Sequence, residues 1–222
     1  MNRVALIAGA SGLVGRGVLQ RLLQDPAYAQ VRVLTRRPLN LSHPHLREIV
    51  TDFAGLEALG ESLRVDDVFC CLGTTLRTAG SRAAFEDVDY RMVVELARLT
   101  HAAGAQQFLV ISAAGASEHA PSFYSRVKGR MEKAVSALDF EALHILRPSL
   151  LLGARSEHRR GEAFAQKLSP LLAMLCAGPL RRYRPIPAEQ VAEAMVRLAV
   201  RGESGTHIHY LPLPEDATEE ED

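Results

Sequence analysis

Short runs of consecutive apolar residues alternate along this chain with longer stretches in which apolar positions recur every three or four residues. RVALIA at 3–8 predicts a buried first strand, and LVGRGVLQRLLQ at 13–24 predicts a helix. VRVLTR at 31–36, REIVTDF at 47–53 and DDVFCCLG at 66–73 predict the second, third and fourth strands. A helix follows at about 83–103, then a fifth strand, QQFLVISA at 106–113, and a helix from Ser122 to about Ala137. ALHILRPSLLLG at 142–153 holds a sixth strand, stopped at Pro148 because proline lacks the N–H that a ladder needs. Beyond residue 153 the pattern loosens. GEAFAQKLSPLLAMLCAGPL predicts one or two helices broken at Pro170 and ended near Gly178. EQVAEAMVRLAVRG at 189–202 predicts an amphipathic helix, and HIHYLPL a last strand.

Alternation of this kind predicts an α/β fold, a doubly wound parallel sheet with helices on both faces. Near-continuous apolar strands such as VALIA and FLVIS fit burial from both sides. No internal repeat or linker divides the chain. We expect a single domain over 1–214 with a small C-terminal elaboration at about 154–187, followed by an acidic, frayed tail at 215–222.

Length and composition agree with a globular domain: 222 residues, 47% hydrophobic and 23% charged. The formal charge is zero, but six of the 26 acids lie in Glu215–Asp222, leaving 20 against 26 basic residues, a body of +6. That charge suits an anionic ligand, yet it is diffuse and no nucleic-acid motif accompanies it. Cys70, Cys71 and Cys176 cannot form a disulfide framework, and neither they nor the eight scattered histidines show metal-ligand spacing. We therefore expect no metal and a reducing, cytoplasmic location. Arg3 followed by VALIAGASGLVG has the outline of a secretory leader, but regularly spaced glycines break the apolar run. No stretch has the length of a membrane span.

Those glycines carry the first chemistry. Gly9, Gly12 and Gly15 follow the first strand and open the first helix. Gly9 can take the positive φ of a sharp strand-to-helix turn, Gly12 lets a pyrophosphate approach bare backbone, and Gly15 permits close helix packing. The ligand's charge would face the helix's unpaired N–H groups and positive dipole end. The alternative is a turn with a structural purpose alone; its strand–turn–helix context favours dinucleotide binding. An acid at the end of the second strand would select NAD, but this chain has Arg36 and Arg37 there, guanidinium forks suited to a 2′-phosphate. The cofactor reading is NADP(H), with NAD(H) and a solvated basic loop as alternatives.

Tyr124 and Lys128 stand four residues apart and share one face of the helix after the fifth strand. The cation can stabilise a tyrosinate, and the phenol can exchange a proton with a carbonyl or alcohol oxygen while hydride moves. Such a pair also occurs as mere surface decoration. Its position beyond the carboxyl end of a strand, where ligands collect in open α/β sheets, favours function.

Taken together, GASGLVG, Asp52, FCCLGTT with Ala79-Gly80, FEDVDY, FLVISAAGA, FYSRVKG and ILRPSLLLG resemble the short-chain dehydrogenase/reductases of the extended and atypical type. Within these, the chain is similar to the branch of the Tat-interacting proteins and their bacterial relatives. The resemblance implies a Rossmann fold in which Gly9, Ser11, Gly12, Leu13, Val14 and Gly15 cradle the pyrophosphate, and Arg36 with Arg37 the adenosine phosphate. It implies Asp52 beside the adenine, Leu72, Gly73 and Thr74 along the cofactor channel, and Pro148, Ser149 and Leu150 at the carboxamide. Tyr124 would be the proton donor, and Lys128 would hold the nicotinamide ribose and assist it. Asp89 stands where many relatives have asparagine.

One departure bears on rate. Aligned on Phe108, the family's catalytic serine falls at Ala113, with Ser112 one residue earlier and Ser117 a second possible donor. Neighbouring strand residues face opposite ways, so Ser112 serves only if the chain curls there. Loss of one positioned donor weakens oxyanion stabilisation by about 3 kcal/mol, roughly a hundredfold in rate. The C-terminal elaboration carries Arg155, Arg159, Arg160, Lys167, Arg181, Arg182 and Arg184 beside the apolar LSPLLAMLCAGPL. A basic rim around an apolar pocket suits an amphipathic, anionic small-molecule substrate. The alternative is solvated arginines and a helix packed on the core or on a second copy of the chain, a homodimer. Three functions follow: an NADP(H)-dependent oxidoreductase acting on a carbonyl or alcohol, an NADP(H)-binding regulator without turnover, and an epimerase-like enzyme. The short C-terminal part argues against the third.

Overall fold

The computed structural model describes residues 3–152 and 185–213. Strands β1 (Arg3–Ala8), β2 (Tyr28–Thr35), β3 (Leu46–Val50), β4 (Asp67–Cys70), β5 (Gln107–Ile111), β6 (Ala142–Arg147) and β9 (Gly205–Tyr210) form one sheet. Its order is β3-β2-β1-β4-β5-β6-β9, and every pairing is parallel. The strand order reverses between β1 and β4, the switch point at which such sheets open a crevice for ligands. Strands β7 (Leu151–Leu152) and β8 (Ile186–Pro187) pair separately, so the chain leaves and rejoins the described part side by side.

Period-two alternation explains the apolar runs. Ala5 and Ile7 of β1 face a core built with Val14, Val18, Leu19 and Leu22 of α1 (Leu13–Gln24) and Val191, Met195 and Leu198 of α6 (Ala188–Arg201). Leu6 and Ala8 face the opposite core, closed by Val93 and Leu96 of α4 (Met92–Ala102) and Met131 and Val135 of α5 (Phe123–Ser136). Neither face of β1 meets water, which is why its sequence is uninterrupted.

The expected helix at 83–103 is in fact compound. α3 (Arg82–Glu86) runs into a π turn (Asp87–Arg91) before α4 begins. α2 (Leu76–Ala79) and a 3₁₀ segment (Leu56–Leu63) add short turns that the apolar pattern does not signal. β3 stops at Val50, before Asp52 and before Phe53, whose φ of 67° belongs to a turn. β5 stops at Ile111, so Ser112 and Ala113 lie just past the strand. Most of the 154–187 segment, with its arginines and expected helices, lies outside the described residues, as do Cys176 and the tail at 215–222.

Candidate functional site

Parallel strands deliver the loops named from the sequence to one rim of the sheet. The turn after β1, Leu72–Thr74 after β4, Ser112 after β5 and Pro148–Leu150 after β6 follow four adjacent strands. Arg36, Arg37 and Asp52 follow β2 and β3 on the other side of β1.

The turn after β1 is built by the absence of side chains. Gly9 has φ +88°, and a Cβ there would lie 2.5 Å from the Cys71 carbonyl oxygen. A Cβ on Gly15 would lie 2.2 Å from the Gly9 carbonyl oxygen, so the helix sits directly on the turn. Gly12 caps α1 without a side-chain hydrogen bond, and no acid occupies the first turn. Among the described residues no side-chain acceptor caps the amides and positive end of α1, an arrangement suited to a diphosphate. Ser11 is exposed, Leu13 half-buried and Val14 buried in the core beneath. Arg16, which the sequence reading passed over, reaches back from this helix, its Nε donating to the Ser11 carbonyl at 3.1 Å. An arginine directly after the third glycine was the available signal.

Ala8 pairs with Leu34, which brings the exposed Arg36 and Arg37 alongside the turn. Buried Thr35 shapes their loop, its hydroxyl donating to the Arg37 carbonyl at 2.7 Å. Asp52 is exposed and accepts from the Ala54 amide at 2.9 Å, closing its own turn.

The second half of the site surrounds α5. Tyr124 is exposed, its ring 5.6 Å from that of Phe85. Lys128, one turn on, is buried, so the pair shares a face but not a level. The Lys128 ammonium meets Asp89 Oδ1 at 2.8 Å and the Ile111 carbonyl at 3.2 Å. Burial works against its charge, but Asp89 foremost, with Tyr124 beside it, holds the lysine above its usual range. Asp89 also accepts from the Thr74 amide at 2.8 Å, joining the β4 loop to the π turn. Sequence alone did not give Asp89 this place.

Ser112 is 3% exposed, and its Oγ has no hydrogen-bond partner among the described residues. Ala113 is buried beside it, while Ser117 Oγ accepts from the His119 amide at 3.2 Å. Gly129 lets this arm lie against α5: a Cβ there would fall 2.2 Å from the Ser117 carbonyl carbon. The arm is also tied to the β6 loop, since the Ala114 amide donates to the Pro148 carbonyl at 2.8 Å. Pro148 is buried, Ser149 half-buried and Leu150 exposed.

Thiol chemistry fits poorly at Cys70 and Cys71. Burial pushes the Cys70 thiol up to about 12 and raises Cys71 as well, so neither supplies a thiolate at neutral pH. Among the described residues no cluster of three His, Cys, Asp or Glu could hold a metal ion.

Comparison with known proteins agrees with this geometry. Residues 9–156 match the NAD(P)H-binding family. Protein HTATIP2 of Rattus norvegicus is 36% identical over 170 residues, covering 75% of this chain and 70% of that protein. The mitochondrial protein fmp52 of Aspergillus clavatus is 34% identical over 212 residues, covering 92% and 90%. Among solved structures, the oxidoreductase ylbE from Lactococcus lactis superposes with a TM-score of 0.69 at 14% identity, covering 98% of this chain and 96% of that one. MoeE5 in complex with UDP-glucose and NAD superposes with a TM-score of 0.67 at 19% identity, covering 92% and 74%. At such identities the structures speak to the fold alone.

Proposed function

The chain belongs to the NAD(P)H-binding family, and from that premise we propose that it is an NADP(H)-dependent oxidoreductase of the short-chain dehydrogenase/reductase type acting on a carbonyl or alcohol. The observation that carries the reading is one rim holding both a bare, uncapped helix start and an accessible phenol one turn from a buried lysine. Residues Gly9 to Gly15 would receive the diphosphate, Arg36 and Arg37 the 2′-phosphate, and Asp52 would border the adenine. Leu72, Gly73, Thr74, Pro148, Ser149 and Leu150 would line the path to the nicotinamide. When bound, that ring supplies or accepts the hydride. Tyr124 donates the proton to the carbonyl oxygen, or takes it from the alcohol, and Lys128 supports the charge that the phenol leaves behind. Ser112, whose buried Oγ has no partner among the described residues, would contribute a hydroxyl to the same oxygen once the substrate is seated against it. The substrate class we favour is a small amphipathic molecule with an anionic group, on the strength of the basic segment at 154–187. A reducing, cytoplasmic compartment suits its free thiols.

A second reading has its own support. Ser112 is buried, Ser117 accepts from the His119 amide within its own turn, and Ala113 offers no hydroxyl. A protein that binds NADP(H) and turns over slowly would serve as a regulator responsive to that ligand. One experiment separates the two. NADPH consumption is followed with a broad carbonyl panel for the wild type and Tyr124→Phe, with NADPH affinity measured by fluorescence. The reductase reading expects turnover to fall by about a hundredfold or more in the variant while affinity holds. Tight NADPH binding without turnover in the wild type selects the regulator.

A further inference from the structure

A cation stands beside the phenol of Tyr124 without a carboxylate to answer it. Arg82, the first residue of α3, is exposed, and its guanidinium carbon lies over the Phe123 ring, 5.2 Å from the centroid. Phe123 immediately precedes Tyr124 on α5. Both rings pack against buried Phe85, with centroids 5.9 and 5.6 Å away. Phe85 lies three residues beyond Arg82, so cation and ring share one face of α3. The loop after β4 delivers α3 to the carboxyl rim of the sheet, which makes this cluster an aromatic wall next to the proton donor, topped by a positive charge.

The arginines nearby are engaged by acids. Arg91 pairs with Asp87, and Arg130 pairs with Glu86. Glu86 is the carboxylate one turn along α3 that Arg82 could have met, and Arg130 holds it instead. Among the described residues no carboxylate pairs with Arg82. A cation at the first position of a helix also faces the positive end of the helix dipole, and α3 has no acid in its first turn to offset it. Local stability is therefore a weak reason for an arginine here. A guanidinium held over an aromatic face keeps N–H donors at its edge for an anion, in the fork geometry that matches a carboxylate. We propose that Arg82 is a specificity-determining residue whose fork receives a carboxylate at one end of the substrate, while the carbonyl at the other end meets Tyr124 and the apolar stretch between them lies against the aromatic wall. The substrate class is then an oxo acid with an apolar spacer between its two polar ends. This rests on the reading that Tyr124 faces the reacting carbonyl, and it gives the anionic group a partner within the described fold.

The test compares ω-oxo fatty acids of graded length with their methyl esters, using the full chain and NADPH. The wild type should favour the free acid over the ester of the same length, with a KM lower by about tenfold or more at the best length. Arg82→Gln should abolish that preference by raising KM for the acid, with kcat moved far less, and Arg82→Lys should restore part of it because the charge returns without the fork. If KM rises equally for acid and ester in Arg82→Gln, the arginine merely braces α3 against α5 and the proposal falls. It falls equally if the wild type does not distinguish acid from ester, or if the preference survives in Arg82→Gln. A second measurement stands apart from turnover: the same fatty acids without the oxo group are titrated by calorimetry into the protein saturated with NADPH. Should the wild type reduce nothing, the reductase reading fails, and this titration still rules on Arg82. Affinity weakened about tenfold or more in Arg82→Gln upholds the carboxylate site, whereas no binding to the wild type, or equal binding to both proteins, overturns it.

Discussion

The two ends of the sheet handle buried polarity in opposite ways. At the amino ends of the strands, Asp67 is wholly buried and is matched on all sides: Tyr28 donates to it at 2.7 Å and Arg3 forms an ion pair with it. Arg3 also spans to the Gln107 side chain and the Ala199 carbonyl, so this cluster closes on itself. At the carboxyl ends, among the described residues, α1 begins without a side-chain cap, Ser112 Oγ has no hydrogen-bond partner and Tyr124 faces outward. The Lys128–Asp89 pair there is completed internally. Saturated polarity pins strands together, whereas polarity left with spare capacity is what a ligand can use.

That contrast can be broken from either side. The largest effect belongs to the amino end: Asp67→Ala strips the acceptor from Tyr28 and the partner from Arg3, and should cost about 3–5 kcal/mol of unfolding free energy. Denaturant melts should register the loss, while NADPH affinity of the folded fraction stays as it was. If affinity falls in step with stability, the two ends are not independent.

Next comes Ala113→Ser, at the carboxyl end. Restoring a hydroxyl past β5 should raise kcat by up to about a hundredfold, worth about 3 kcal/mol in the barrier, without a matching change in thermal stability. Unchanged turnover would mean that the arm carrying residues 112–117 does not present this position to the substrate.

Acid titration sharpens the comparison within the sheet. Burial raises the Asp67 carboxyl to about 6, so its contribution is fully present below the unfolded value near 3.8 and is lost as pH rises through 6. His144, wholly buried on β6 with its Nδ1 3.0 Å from His209 Nε2, is pushed by burial down to about 4. Its contribution is present above the unfolded value near 6.5 and is lost as pH falls through 4. The opposed slopes, each of order 3 kcal/mol, should leave the wild-type melting temperature nearly flat from about pH 4 to 6. Asp67→Asn should uncover a melting temperature that climbs with pH, and His144→Phe one that declines. The same slope in both variants would refute the assignment.

The smallest effect concerns ligand choice. Arg36→Ala should weaken NADPH binding by about 1.5–3 kcal/mol and leave NADH binding nearly untouched, as read by titration calorimetry. Equal losses for the two nucleotides would remove the 2′-phosphate from that residue.

Local signals were legible and distant ones were not. The glycine turn could be read because Gly9 and Gly15 meet backbone that a single extra carbon would strike, and neighbours in sequence define that turn. The β1 and α1 boundaries were read correctly because double-sided burial writes an unbroken apolar run and a one-sided helix writes a stripe. The π turn was hidden, since one extra residue inside a helix barely disturbs apolar spacing. Asp89 could be seen, but not its partner, because that pairing depends on how α5 lies beside the π turn. The Tyr28–Asp67 contact joins residues on strands that are not even neighbours in the sheet, and no spacing rule records it. Arg16 stands directly after the third glycine, but its contact with the Ser11 carbonyl depends on how the side chain folds back along α1.

Gly129 has a consequence beyond packing. The gap between α5 and the arm at Ser117–Glu118 is closed to less than the width of a methyl group. Tyr124 travels on that helix, whereas Ser112 and Ala113 belong to the arm, so this single position acts as the gauge between proton donor and hydroxyl. Even alanine would pry the two apart at a point remote from the diphosphate cradle. Natural variation at this place would therefore tune reactivity while leaving nucleotide capture alone.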